Sequence, residues 1–341
     1  MSATPPLTAA GQPAPPRWLT PQRAILAAVG LLLSGLSLWL TLRQINLAEA
    51  AAALRSARLW FLAPAVITYF TDLSVRAWRW RVLLRPVKRL PVRSVYPVTV
   101  IGYMGNMLLP ARLGEVVRAV VLMRRGVGPS AALGSIATER ILDGLTTIGL
   151  LLVTSYFLPR PAWLTAGLTV VTIIFVGALV VLGLALAFRP QGMALLGRGL
   201  GRFRWSVRPL RWIEHFLDGL AALRSPDLLL AAVGIGLIAW TCSALQYYWV
   251  FRAFDLPLWG AASYFAVAAI GLSTMIPAAP GYVGTFELAG VAVLTALGAT
   301  PAGAFSAIVL VHLLQVVPVT VLGLVFAWRE GLTMASLGGR E

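Results

Sequence analysis

Three polar constellations interrupt this otherwise apolar sequence. The first, GYMGNMLLPARLGEVVRAVVL (Gly102 to Leu122), places Asn106, Pro110, Arg112, Gly114, Glu115 and Arg118 within thirteen positions. The second, GSIATERILDGL (Gly134 to Leu145), sets Glu139 and Asp143 four residues apart, on one face of a helix, with Arg140 beside them. The third, PAAPGYVGTFE (Pro277 to Glu287), brings Pro280, Gly281, Gly284, Thr285 and Glu287 together.

In the first and third stretches a glycine-containing break precedes a short helix. Its free N–H groups and partial positive charge suit an anion such as a phosphate. Arginines add charge to such a site, and carboxylates would balance them, bind a cationic group or carry protons. Each reading has a plainer rival. Arg112, Glu115 and Arg118 could be interfacial anchors, Glu139, Arg140 and Asp143 an ion-pair network that only joins helices, and Glu287 a carboxylate on a helix N-terminus.

No H-E-x-x-H, G-x-S-x-G, Walker A sequence or Cys/His cluster occurs. No catalytic residue, metal ligand or cofactor is therefore assigned, and the chain is expected not to be an enzyme. No soluble region is large enough to hold ATP or a nucleotide sugar.

The elements that must position these residues are membrane helices. The 341 residues are 59% hydrophobic and 12% charged, with mean hydropathy +0.83, beyond what a soluble domain tolerates. The apolar runs lack the alternation of barrel strands. They lie near 24–42, 59–80, 95–110, 131–157, 163–188, 228–252, 258–276, 284–297 and 302–327. The single cysteine, Cys242, excludes an intramolecular disulfide.

The net charge of +16 gathers between these runs, which points to membrane topology rather than nucleic acid. One acid-free block holds Arg76, Arg79, Arg81, Arg85, Lys88, Arg89 and Arg93; another spans Arg189 to Arg224. Both fall on the cytoplasmic side only if 95–123 is a re-entrant hairpin, which places a second hairpin, 258–297, on the outer face. The expected fold is an all-α polytopic membrane protein: about six spanning helices plus two oppositely oriented re-entrant hairpins in an inverted repeat.

A repeat supports this independently. PARLGE and PGYVGTFE share P-x-x-x-G and a following glutamate, with the prolines 170 residues apart, and the flanking runs recur at nearly the same offset. Inverted repeats are a common plan for secondary transporters. The domain expectations are a disordered cytoplasmic N-terminus (1–22) and a single transmembrane domain (23–329), followed by a cytoplasmic tail (330–341). Within the domain lie repeat one (about 59–157), repeat two (about 228–327) and a cytoplasmic basic segment (189–226), where RFRWSVRPLRWIEHFLDGL reads as an amphipathic surface helix.

With its helix starting near Ala131, Glu139 lies about 12 Å into the hydrocarbon. Asp72 and Arg76 form another i,i+4 pair, equally compatible with structure and function. His312 and Gln315 read as interhelical hydrogen-bond partners, and Trp60, Trp78, Trp80 and Trp259 as an aromatic belt.

GNMLLPARLGEVVRAVVL, ERILDGL and PAAPGYVGTFE, in this order, resemble the lysylphosphatidylglycerol synthase transmembrane-domain family of flippase-like proteins, across residues 20 to 330. The resemblance implies movement of a polar-headgroup lipid between leaflets. It does not carry over synthase activity, which in that family needs an aminoacyl transferase domain this sequence lacks; a stand-alone form is expected. Matching the family motifs selects Asn106, Pro110, Arg112, Gly114, Glu115, Arg118, Glu139, Arg140, Asp143, Pro280, Gly281, Gly284 and Glu287; Thr285 joins them as a substrate-binding candidate.

The expected function is a lipid flippase for an anionic, aminoacylated or polyisoprenyl-phosphate-linked lipid. The alternatives are a small-anion or ion transporter, or a membrane-embedded transferase on lipid-linked substrates. Expected partners are membrane lipids, with a separate lipid-modifying enzyme a candidate, and no nucleic acid. The expected location is the inner (cytoplasmic) membrane, with both termini cytoplasmic.

Overall fold

The computed structural model describes residues 21–109, 113–158, 162–188, 220, 222, 225–274 and 278–332. The N-terminus to residue 20, Pro110, Arg112, nearly all of the second basic block with its amphipathic stretch, and the tail from 333 lie outside the described residues. Every regular element described is a helix: α1 (Pro21–Leu42), α2 (Leu47–Ser56), α3 (Leu62–Leu84), α4 (Val92–Leu108), α5 (Gly114–Met123), α6 (Pro129–Ser155), α7 (Ala162–Ala187), α8 (Pro226–Ala253), α9 (Gly260–Ser273), α10 (Thr285–Ala296) and α11 (Pro301–Arg329).

Helix starts follow local chemistry. Proline opens α6, α8 and α11 within the first turn, where its missing N–H would have had no helical partner. Thr300 caps α11 by accepting from Gly303 N at 3.2 Å. The alanine-rich α2 starts where Asn46 Oδ1 accepts from Ala48 N at 3.0 Å.

By length and composition, α8 and α11 can each cross a membrane, and α1 with α2 forms a broken pair bent by 83°. Helices α3 and α6 are long enough but carry the charged groups of the site. Outward-facing apolar side chains such as Leu32, Ile67, Val153, Ile173, Leu230, Val321 and Leu324 are largely exposed, as a lipid-facing surface requires.

Two helical hairpins organise the interior. In hairpin 1 (α4–α5) the arms touch backbone to backbone: a Cβ on Gly114 would lie 2.0 Å from the Gly102 carbonyl oxygen, and one on Gly105 2.7 Å from Gly114 Cα. In hairpin 2 (α9–α10) the connecting segment holds a single helical turn, Pro280–Tyr282. Gly281 (φ 71°) and Gly284 (φ 89°) adopt left-handed backbone there, a region open to glycine at no steric cost. Helix α1 docks on this tip, with Ser34 Oγ accepting from Ala279 N at 2.8 Å.

Helix α11, about 43 Å long at 1.5 Å per residue, touches both hairpins. Near its N-terminus Gly303 meets Leu256, before α9, and Ile308 packs on Gly290 of α10. At mid-length His312 reaches the tip of hairpin 2 through Gly281 O at 2.6 Å. Further along, Gly323 packs on Met104 of α4 and Phe326 meets Tyr96 edge-on. Beyond its C-terminus Glu330 pairs with Arg125, at the base of hairpin 1. The two hairpin bases thus lie at opposite ends of α11, and the tips meet near its middle, where Gly281 approaches the Met107 carbonyl. Pro318 interrupts the hydrogen bonding of α11 between these zones.

Two apolar clusters flank the tips. One joins hairpin 2 to the C-terminal half of α8 and the N-terminal half of α11. The other joins hairpin 1 to the ends of α3 and α6 that hold Trp80, Leu83, Ala132 and Ile136. The polar residues of the site lie between them.

Candidate functional site

A cavity of about 360 Å³ opens between the hairpin tips, walled by α3, α4, α5, α6, α8, α9, α10 and α11. Its charged lining consists of Asp72, Arg76, Glu115, Arg140 and Asp143, with His312 beside them. Helix α3 contributes Asp72, Arg76 and Arg79 at i, i+4 and i+7, one helical face. Arg76 Nε donates to Asp72 at 2.9 Å and its Nη2 to Ser243 Oγ at 3.1 Å.

Behind the wall lies a closed ion network. Arg79 Nη2 donates to Asp143 Oδ1 at 2.6 Å and lies 3.6 Å from Glu139; Arg118 Nη2 donates to Glu139 Oε2, also at 2.6 Å. Arg140 reaches Glu139 at 3.3 Å, Asp143 at 3.2 Å and Glu115 at 3.6 Å. The Arg118 guanidinium stacks on Trp80, 3.9 Å from the ring centroid, and Gly236 of α8 makes room for the guanidinium of Arg79. Arg79 and Glu139 are fully buried. Three arginines face three carboxylates, so the network is neutral, the condition for burying charges far from water.

At hairpin 2, Glu287 Oε2 accepts from Gly284 N at 2.6 Å and caps α10. Its Oε1 lies 2.5 Å from His312 Nδ1, while His312 Nε2 meets the Gly281 carbonyl. Since that carbonyl only accepts, Nε2 is the nitrogen that donates to it. Phe286 stacks on the imidazole with centroids 4.5 Å apart.

Asn106, Glu115, Arg140 and Asp143 line the cavity as candidate headgroup contacts. Arg118 and Glu139 do not; they are buried and bound to each other. Glu287 and Thr285 are also absent from the wall, Thr285 donating to the Tyr282 carbonyl at 3.0 Å. The expectation of an anion at the N-terminus of α10 is corrected, since Glu287 already occupies that position. Pro110 and Arg112 lie outside the described residues, whereas Gly114, Pro280, Gly281 and Gly284 shape the tips as described.

Arg79, read from sequence as part of a cytoplasmic basic block, is instead buried in the network. Its i+7 relation to Asp72 was the available signal. Trp80 is corrected likewise: it is fully buried and donates to Ser135 Oγ at 3.1 Å, while Trp60, Trp78 and Trp259 are exposed. His312 and Gln315 are hydrogen-bond partners, as expected, yet both also line the cavity. Tyr69, Tyr103, Trp240 and Gln246 complete a lining that the sequence did not single out.

Glycosyltransferase AglD of Haloferax volcanii is 29% identical over 325 residues, covering 85% of this chain and 52% of that protein. The chain thus spans about half the length of this curated relative. A UPF0104 membrane protein of Methanocaldococcus jannaschii is 24% identical over 224 residues, covering 64% of this chain and 90% of the relative. The expectation that the chain is not an enzyme is overturned by the first of these. A protein named a glycosyltransferase aligns with most of the chain, so missing soluble-enzyme motifs do not exclude catalysis. The family model described as the lysylphosphatidylglycerol synthase TM region matches residues 27–323, and the chain belongs to that family of membrane proteins.

Proposed function

We propose that the chain binds the polar headgroup of a lipid in the cavity between its hairpin tips and moves that lipid between leaflets. One observation carries this: a cavity of about 360 Å³ with both signs of charge on its wall, set between two apolar clusters. A headgroup would occupy the polar space while acyl chains remain among the exposed apolar side chains. The site residues proposed to contact it are Asn106, Glu115, Arg140 and Asp143, with Asp72 and Arg76.

In this scheme α1, α3, α6, α7, α8 and α11 span the bilayer. The two hairpins are re-entrant from opposite faces, and the termini and basic segments are cytoplasmic at an inner membrane. The contacts of the hairpin bases at opposite ends of α11 support that arrangement. Rocking of one repeat against the other would expose the cavity alternately to each side.

A second reading is favoured by the kinship with a protein named a glycosyltransferase: the same cavity would present a lipid-linked acceptor for group transfer. The two readings separate in one assay. Purified protein in liposomes carrying fluorescent phosphatidylglycerol, polyisoprenyl phosphate or monohexosyl diacylglycerol is probed with a membrane-impermeant quencher. Accelerated loss of protected fluorescence over empty liposomes is expected for at least one of them. No acceleration for any of the three, with sugar transfer to the polyisoprenyl phosphate on adding a labelled activated donor, would replace transport with transfer.

A further inference from the structure

The charges around the cavity are already spent on one another. Arg76, Arg79, Arg118 and Arg140 face Asp72, Glu115, Glu139 and Asp143, four against four. Asp72 takes the Nε of Arg76, and both oxygens of Asp143 are engaged by Arg79 and Arg140. Among the described residues an incoming anionic or cationic headgroup finds no surplus of opposite charge, and a net charge in a low-dielectric site is strongly penalised without one.

What the wall lacks is partners for uncharged groups. Among the described residues, the buried polar atoms without a hydrogen-bond partner include Tyr103 Oη, Asn106 Oδ1, Trp240 Nε1 and Gln246 Nε2, each on a residue that lines the cavity. An unsatisfied buried polar group costs about 1–3 kcal/mol, so several around one space point to an occupant that supplies their partners. The missing partners are both acceptors and donors, which is what hydroxyl groups are. Aromatic side chains, Tyr69, Tyr103, Trp240, Tyr247, Tyr282 and Phe286, supply flat faces on the same wall. Such faces suit the C–H side of a sugar ring.

We infer that the headgroup this cavity takes is a neutral sugar, a mono- or disaccharide carried on a lipid, rather than a charged phospholipid headgroup. This rests on the lipid-binding reading of the cavity given above. The volume lies near the lower bound of ligand pockets, ~300–1,000 Å³, which limits the occupant to a small glycan.

The test is lipid retention by the detergent-solubilised full chain in native mass spectrometry. Monohexosyl diacylglycerol competes with phosphatidylglycerol and phosphatidylethanolamine of the same acyl chains. The glycosyl lipid should be retained about tenfold over either, and Tyr103→Phe with Gln246→Leu should return the ratio to near one. Both variants are close in shape to the native side chains, and an unchanged thermal midpoint would show that folding is intact. If only one variant folds, that one alone should lower the ratio.

Preference for either phospholipid, or a preference for the glycosyl lipid unaffected by the variants, overturns the inference. Transport of phosphatidylglycerol in liposomes without glycosyl-lipid retention would refute the sugar and keep transport. Selective retention that the variants abolish, with no lipid transported, would refute transport and keep the sugar. Neither retention nor transport refutes both.

Discussion

The two hairpins carry related sequence motifs and use their glutamates in opposite ways. In hairpin 1, Glu115 sits in the first turn of α5 with a quarter of its side chain exposed, on the cavity wall and 3.6 Å from Arg140. In hairpin 2, Glu287 sits two residues further from its proline, is buried, and turns back on its own helix to bond Gly284 N and His312. The two-residue difference separates a carboxylate that faces the cavity from one that seals a turn. A shared motif therefore fixes where a helix restarts, and its exact spacing decides what the acid does.

The comparison breaks most sharply at the network behind hairpin 1. Glu139→Ala leaves Arg79 and Arg118 buried with too little opposing charge, and removing one partner of a buried pair costs about 3–5 kcal/mol. Detergent-solubilised protein should show a large drop in thermal midpoint, and an unchanged midpoint would mean the network is not what holds α3, α5 and α6 together.

Next come the glycines. Gly114→Ala meets the Gly102 carbonyl, and Gly284→Ala meets the Ser34 carbonyl at 2.2 Å while also holding φ at 89°. Overpacking costs about 1–3 kcal/mol, and the left-handed backbone adds to it only in hairpin 2. Gly284→Ala should therefore destabilise more than Gly114→Ala; the reverse order in unfolding experiments would count against the tip geometry.

The glutamates test the contrast directly. Glu287→Ala removes a cap and should cost about 0.5–2 kcal/mol, visible as a lowered midpoint. Glu115→Gln should leave the midpoint nearly unchanged and lower lipid transport several-fold. Equal stability losses for both would erase the distinction between wall and cap.

The smallest effect lies at the base of hairpin 1. Arg125, hydrogen bonded to Glu330, holds that carboxyl below its ordinary range. A lowered folded value means that the pair contributes fully above the ordinary carboxylate pKa, ~4.3, and is lost as pH falls through the lower value. A partly exposed pair contributes only about 0–1 kcal/mol. Glu330→Gln should thus narrow, slightly, the stability gap between pH 6 and pH 3.

The apolar runs placed nine of the eleven described helices to within a few residues, because length and hydrophobicity decide where a helix can sit beside lipid. Helix α5 was legible as a charged helical stretch, and α2, neither long nor strongly apolar, was missed. Glu139, Arg140 and Asp143 were legible as a unit because three charges within one apolar helix demand partners. Arg79 was not, because the same residue type anchors loops at the membrane surface, and charge counting alone assigns it there. The unpartnered wall of Tyr103, Trp240 and Gln246 could not be seen in sequence, since it depends on α4 and α8 facing one cavity from more than a hundred residues apart.

Helix α11 is in contact with both hairpins. One rod rests against hairpin 2 in its first half and hairpin 1 in its second, and Pro318 has already removed a hydrogen bond from the stretch between them. Bending there stretches one hydrogen bond fewer. A rod that bends at this point would let the two hairpins tilt by different amounts while each keeps its own contact with it.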